Sequence, residues 1–181
     1  MPSASPELPQ PWDTFLAAVD ALLPDPVELH CLGGFVVAVR YHLPRPTGDL
    51  DYIEIIPHHA MEVLQRIAGP ESPLAKKYHL YVQHVGVASL PESYVERIKL
   101  LPSRFEKLRL LVLEGHDLAL SKLARNSPVD REDVAHLIKV VPLDRKILRT
   151  RYQKELRPNI IGDPEIHDRT LQMWIDAYFG S

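Results

Sequence analysis

Behind a proline-rich lead, Trp12, Phe15, Leu16, Val19, Leu22 and Leu23 recur at helical spacing and present one apolar face, which Pro24 and Pro26 stop. Val27–Leu32 is too short an apolar run for a helix and predicts a buried strand ended by Gly33-Gly34. Residues 35–42 read as a buried helix despite three valines, because strand preference is only a weak prior. After the loop Arg45-Pro46-Thr47-Gly48, the Asp49–Ile56 segment alternates until Pro57, as a strand does. Strict alternation sets Asp49, Asp51 and Ile53 on one face and Leu50, Tyr52 and Glu54 on the other.

A helix over residues 59–68 is expected next, then a short one opened by Ser72-Pro73, then strands near 81–87 and 108–113. From Gly115 the pattern turns helical, with Leu118, Leu120 and Leu123 on one segment and Val134, Leu137, Ile138 and Val141 on another. Asp144 and Asp163-Pro164 read as further helix starts, and the last helix is expected to turn Ile166, Trp174, Ile175 and Tyr178 inward. Strands among helices followed by helices alone predict an α+β fold: a mixed β-sheet flanked by helices over residues 1–115, and a helical part over 116–181 packed on it.

A chain of 181 residues is long enough for one substantial core. Its 21 basic and 24 acidic residues leave a formal charge of -3, so no global field draws it onto nucleic acid or anionic lipid. The single cysteine, Cys31, sits in an apolar run as a core residue. No stretch approaches a membrane span, and residues 1–7 lack the basic start and apolar centre of a secretory signal, so a soluble cytoplasmic protein without membrane contact is expected.

The chemistry concentrates in two segments. Gly33-Gly34 at a strand end lets backbone amides approach phosphate at a helix start, and Asp49 with Asp51, sharing a strand face, can hold a divalent cation beside it. Neither the G-x-x-x-x-G-K-[ST] nor the G-x-G-x-x-G pattern is present, and no G-x-S-x-G or dense His/Cys set supports a hydrolase or a zinc site.

With these residues the sequence resembles the nucleotidyltransferase superfamily, most closely the bacterial minimal nucleotidyltransferases related to the AbiEii abortive-infection toxins. Their Arg-x-Thr-x-Asp-x-Asp segment is matched by Arg45, Thr47, Asp49 and Asp51. Their second signature is matched by Asp117-Leu118 through Lys122 to Asp130 and Asp133. The resemblance implies a nucleotidyltransferase-type sheet in which Asp49 and Asp51 bind Mg2+ and Gly33, Gly34, Arg45 and Thr47 serve the nucleoside triphosphate. It further implies that Lys122 contacts a phosphate and that Asp130 completes the site. A nucleoside monophosphate from ATP or another triphosphate would pass to an RNA or protein acceptor, in a toxin or defence setting with an antitoxin partner.

Other readings stand beside these. Asp130 fits a helix N-cap and Asp133 the third helical position, as well as a catalytic role for Asp130. The third carboxylate that many active members of the superfamily carry has no counterpart in Tyr81-Val82-Gln83-His84-Val85, which motivates the alternative of a nucleotidyltransferase-fold protein that binds nucleotide or protein without transfer. Arg145, Lys146, Arg149, Arg151, Lys154 and Arg157 form either a solvated helix face or a patch for RNA phosphates.

Overall fold

The computed structural model describes residues 8–180; residues 1–7, whose sequence carries the expected absence of a signal, lie outside the described residues. The elements run α1 Trp12–Leu22, β1 Val27–Leu32, α2 Gly33–Val39, β2 Asp49–Ile56, α3 Met61–Ala68, α4 Pro73–Tyr78, β3 Tyr81–His84, β4 Lys99–Leu100 and β5 Leu108–Val112. Then follow α5 Gly115–Leu120, α6 Pro128–Val140, α7 Arg145–Arg151 and α8 Pro164–Phe179. The five strands form one mixed sheet in the order β3-β2-β1-β5-β4, in which β1 is antiparallel to β2 and parallel to β5. The α+β fold expected from the pattern is therefore present. Among the described residues no helix is long and apolar enough to cross a membrane.

By its contacts the chain divides into two compact units, one running to Gly86 and resuming at Lys99–Val112, the other comprising Val87–Ile98 and everything from Leu113 onward. In the first unit Leu29, Cys31, Leu50, Ile55, Leu108 and Leu110 are buried on one sheet face, and Phe15, Leu16, Phe35 and Val36 of the helices are equally buried. Trp12 locks α1 to α2 edge-on against Phe35, ring centroids 4.8 Å apart. Polar anchors complete the fit: the Asp20 carboxylate on α1 accepts backbone N–H bonds from Glu106, Lys107 and Leu108, fixing where β5 begins.

The alternation along β2 departs from the expectation at one residue. In the β1–β2 ladder Cys31 faces Tyr52 and His30 faces Glu54, which leaves Ile53 as a bulge. Ile55 then takes the buried place, and Glu54 returns to the face that carries Asp49 and Asp51, where strict alternation had excluded it. Its carboxylate turns away to His58, whose Nδ1 lies 3.0 Å off, and accepts from the Ile55 amide.

Tyr52 is buried beside His84 with ring centroids 5.3 Å apart, and its hydroxyl has no hydrogen-bond partner among the described residues. Burial pushes that hydroxyl up to about 12. A buried, unsatisfied donor costs free energy. Tyr52→Phe is therefore expected to stabilise the protein by about 1 kcal/mol, read as a higher midpoint in urea unfolding.

In the second unit, α8 buries Thr170, Leu171, Trp174 and Ile175, but Ile166 is exposed and Tyr178 only half-buried, contrary to the inward face expected for both. Ile166 lies in the first turn after Pro164, ahead of the buried stretch that begins at Thr170, and the Trp174 Nε1 within that stretch donates to Asn126 at 3.1 Å. Much of the basic run after Asp144 is taken up internally: Arg151 pairs with Glu114 and Asp117, and Arg157 pairs bidentately with Asp168. Arg145, Lys146 and Lys154 remain exposed.

This unit also sets an acid limit. Burial alone would raise the Glu114 carboxyl, but hydrogen bonds from His116 and Arg151 outweigh it and hold the group at about 2, against an ordinary 4.5. A depressed carboxyl stabilises the fold above its unfolded value and loses that contribution as pH falls through the folded one. Thermal midpoints of the natural protein are accordingly expected to fall between pH 4.5 and about 2, with a flatter profile for Glu114→Gln over that window.

Candidate functional site

Gly33 follows directly from β1 and opens α2 with φ of 77°, a left-handed conformation that glycine adopts without strain. A Cβ there would stand 2.7 Å from Asp51 Oδ2, so a side chain at position 33 would force the Asp51 carboxylate to shift. At Gly34 a Cβ would meet Thr47 Oγ1 at 3.5 Å, an ordinary contact. Thr47 Oγ1 also lies 3.3 Å from the Asp49 carbonyl oxygen and 3.4 Å from Asp49 Oδ1, with geometry for a bond to each. The first unit thus brings Gly33, Gly34, Thr47, Asp49 and Asp51 around the end of one strand and the start of another. Arg45 sits two residues earlier in the same loop, half-buried in the wall of a cavity.

Register extends the set. On β3, parallel to β2, Tyr81 is the partner of Asp49 and Gln83 that of Asp51, and paired residues of neighbouring strands share a face. Burial pushes the Tyr81 hydroxyl up, and the charges of Asp49 and Asp51 push it further, which records how near both carboxylates lie. Asp51 acts likewise on the Cys31 thiol, which burial already raises strongly. The place opposite Asp51 is held by the amide of Gln83. The signal for Tyr81 and Gln83 was available in the period-2 pattern of β3, but only the strand pairing identifies the aspartates they oppose.

Among the described residues no group of three or more His, Cys, Asp or Glu side chains could hold a metal ion. Two carboxylates on one face remain a fitting donor set for Mg2+, which commonly takes one or two carboxylates and completes its shell with phosphate oxygens and water. The close approach at Gly33 packs the backbone at the start of α2 directly against Asp51, so the glycine pair and the carboxylate stand side by side.

Residues 16–177 match the model of a family described as a nucleotidyltransferase of unknown function (DUF6036). The chain belongs to that family. No curated protein and no solved structure matches it. Membership in a nucleotidyltransferase family agrees with the glycine pair and the Asp-x-Asp strand that the first unit juxtaposes.

The second unit of this nucleotidyltransferase-family protein holds the other expected site residues. Lys122 is 4% exposed, with its ammonium 2.7 Å from Asp133 Oδ2 and 3.6 Å from Asp130 Oδ1. Asp130 accepts from Arg125 through both oxygens and from the Ser127 amide and hydroxyl, and the Ser127 hydroxyl in turn accepts from the Asp130 amide. Burial alone would raise the Asp130 carboxyl; Arg125, Ser127 and Lys122 hold it far below the usual carboxylate range. The N-cap of α6 is therefore Ser127 and not Asp130, with Pro128 at the first helical position and Asp130 at the third in a capping box. Proline lacks the amide hydrogen that a first-turn residue leaves unbonded in any case, and this moves the helix start upstream of the expected Asp130.

Asp117, which belongs to the same signature, is fully buried and accepts from Arg97 Nε and Nη2 at 2.8 and 3.1 Å and from Arg151 Nη1 at 3.0 Å. Arg97 also binds Glu155, tying the 87–98 segment to the helices around it. His116, flanked by Glu114 through Nδ1, accepts the Asp144 amide at Nε2, so α5 and the start of α7 are joined by one imidazole.

Proposed function

We propose that this protein is a magnesium-dependent nucleotidyltransferase that moves a nucleoside monophosphate from a nucleoside triphosphate to an RNA or protein acceptor. The observation that carries this reading is the approach of Gly33 to Asp51, a glycine in left-handed conformation whose lack of a side chain lets the backbone at the start of α2 pack directly beside a carboxylate of the Asp49-x-Asp51 strand. In this reading the amides of Gly33 and Gly34 bind the triphosphate at the start of α2. Asp49 and Asp51 hold Mg2+, which when bound neutralises phosphate charge and favours departure of pyrophosphate. Thr47 orients the Asp49 carboxylate, and the acceptor oxygen forms its new bond to the α-phosphorus as the bond to pyrophosphate breaks. Lys122 and Asp130, which the resemblance adds to the reading, belong to the second unit, where Lys122 pairs with Asp133 and Asp130 fixes the turn before α6. The likeness to AbiEii-related proteins supports a toxin or defence setting with an antitoxin partner.

A second reading, a nucleotide-binding or protein-interaction module without transfer, is favoured by Gln83, which stands opposite Asp51 where a further carboxylate would serve. One experiment separates them. The protein is incubated with each labelled triphosphate and a mixed RNA and protein extract, with and without magnesium. Labelling of RNA or protein that depends on magnesium supports transfer. A magnesium-dependent thermal shift without labelling supports the binding module, since ligand at a hundred times its dissociation constant stabilises by about 2.7 kcal/mol. Neither labelling nor a shift with any triphosphate sinks both.

A further inference from the structure

A cavity of the first unit lies beside the glycine and aspartate residues, outside the cradle itself. It measures about 630 Å³ and is bounded by the start of α1, the end of α2, the Arg45–Gly48 loop and the end of α4. Its walls include Trp12, Tyr78, Ala38 and Pro46, with Arg45 and Gln10 as polar members. That volume falls within the range that holds small organic ligands.

Three features narrow the occupant. Thr47 lines the cavity and also touches Asp49 and the Gly34 position, so cavity and phosphate cradle share a wall one residue thick. The prolines and the half-buried Tyr78 offer apolar surface against which a planar heterocycle packs. Trp12, held edge-on to Phe35, contributes the small part of its ring that is exposed, and Arg45 adds a cationic residue to the wall. Gln10 has its Oε1 occupied by the Thr14 hydroxyl at 2.7 Å, which leaves its amide N–H groups as its hydrogen-bonding capacity at this wall. A molecule with an apolar face, a hydrogen-bonding edge and a phosphate tail one sugar away matches all three.

We infer that this cavity is a nucleobase subsite: the base of the nucleoside triphosphate stacks within it while its phosphates lie on Gly33 and Gly34. The inference rests on the nucleotidyl-transfer reading and adds to it the residues that receive the base.

Trp12 is one of two tryptophans, so Trp174→Phe leaves it as the sole reporter. This variant is titrated with ATP, GTP, CTP, UTP and inorganic tripolyphosphate in the presence of magnesium, with emission and binding heat followed together. Because Trp174 is itself buried, Ala38→Phe in the otherwise natural chain, which fills the cavity from a half-buried helix position, provides a second and independent measurement. At least one nucleoside triphosphate is expected to bind and change Trp12 emission, whereas tripolyphosphate binds without changing it. Ala38→Phe is expected to weaken that nucleotide by about tenfold or more while leaving tripolyphosphate within about twofold. Nucleotide binding that leaves Trp12 emission unchanged and is indifferent to Ala38→Phe overturns the subsite and leaves the transfer reading intact. Failure of both nucleotides and tripolyphosphate to bind overturns the transfer reading, and the subsite with it.

Discussion

Asp49→Ala is expected to lower nucleotide incorporation by about a thousandfold or more, the scale on which loss of a group that stabilises transition-state charge is felt. The residue stands at the first position of β2, half-exposed, and its side chain makes one long contact to Thr47. Nothing in the buried face of the sheet depends on it. The thermal midpoint is therefore expected to stay within about 2 °C of the natural protein, as for a surface substitution worth under half a kcal/mol. Incorporation of labelled nucleotide and the unfolding midpoint are measured on the same preparation. Transfer at the natural rate in a folded Asp49→Ala protein would remove the aspartate pair from the mechanism.

Asp117→Ala is expected to act in the opposite sense, on the fold before the chemistry. Its carboxylate has no exposure to solvent and takes three N–H bonds from Arg97 and Arg151. Removing one member of a buried charge network costs about 3–5 kcal/mol, because the remaining charges lose their partner without regaining water. Arg97 retains Glu155 and Arg151 retains Glu114, which sets the expectation at the lower end, about 3 kcal/mol, or a midpoint lower by roughly 10 °C. Asp117→Asn, which keeps an oxygen acceptor in place, is expected to recover part of the loss. An Asp117→Ala midpoint equal to that of the natural protein would mean that the network carries no net stability.

Most of the element sequence was legible because short-range signals agree with the tertiary result. The spacing of Trp12, Phe15, Leu16 and Val19, the Ser72-Pro73 and Asp163-Pro164 helix starts, and the glycine pair after Val27–Leu32 all stand where the chain folds as they indicate. The candidate site was legible as far as it is local: Gly33, Thr47, Asp49 and Asp51 come together as their order along the chain suggests. What the sequence hides is pairing. Tyr81 and Gln83 become neighbours of the aspartates only through the β2–β3 register, and Asp20 reaches the start of β5 across more than eighty residues. Asp117 reads as a site signature, yet its buried contacts are with arginines from distant segments, which periodicity cannot foretell. The Ile53 bulge breaks the two-residue period that made Glu54 look inward, and no local residue type announces it.

That bulge has a consequence for how the chain can change over time. Because Ile53 has no partner in the ladder, its removal or duplication leaves Asp49–Tyr52 and Glu54–Ile56 each facing as they do now. The facing of the chemistry-bearing half of the strand is thereby decoupled from that of its structural half, and insertions or deletions at the joint between them are expected to be tolerated. Related sequences aligned through this strand should vary in length there, while the spacing from the glycine pair's partner Asp51 back to Arg45 stays fixed.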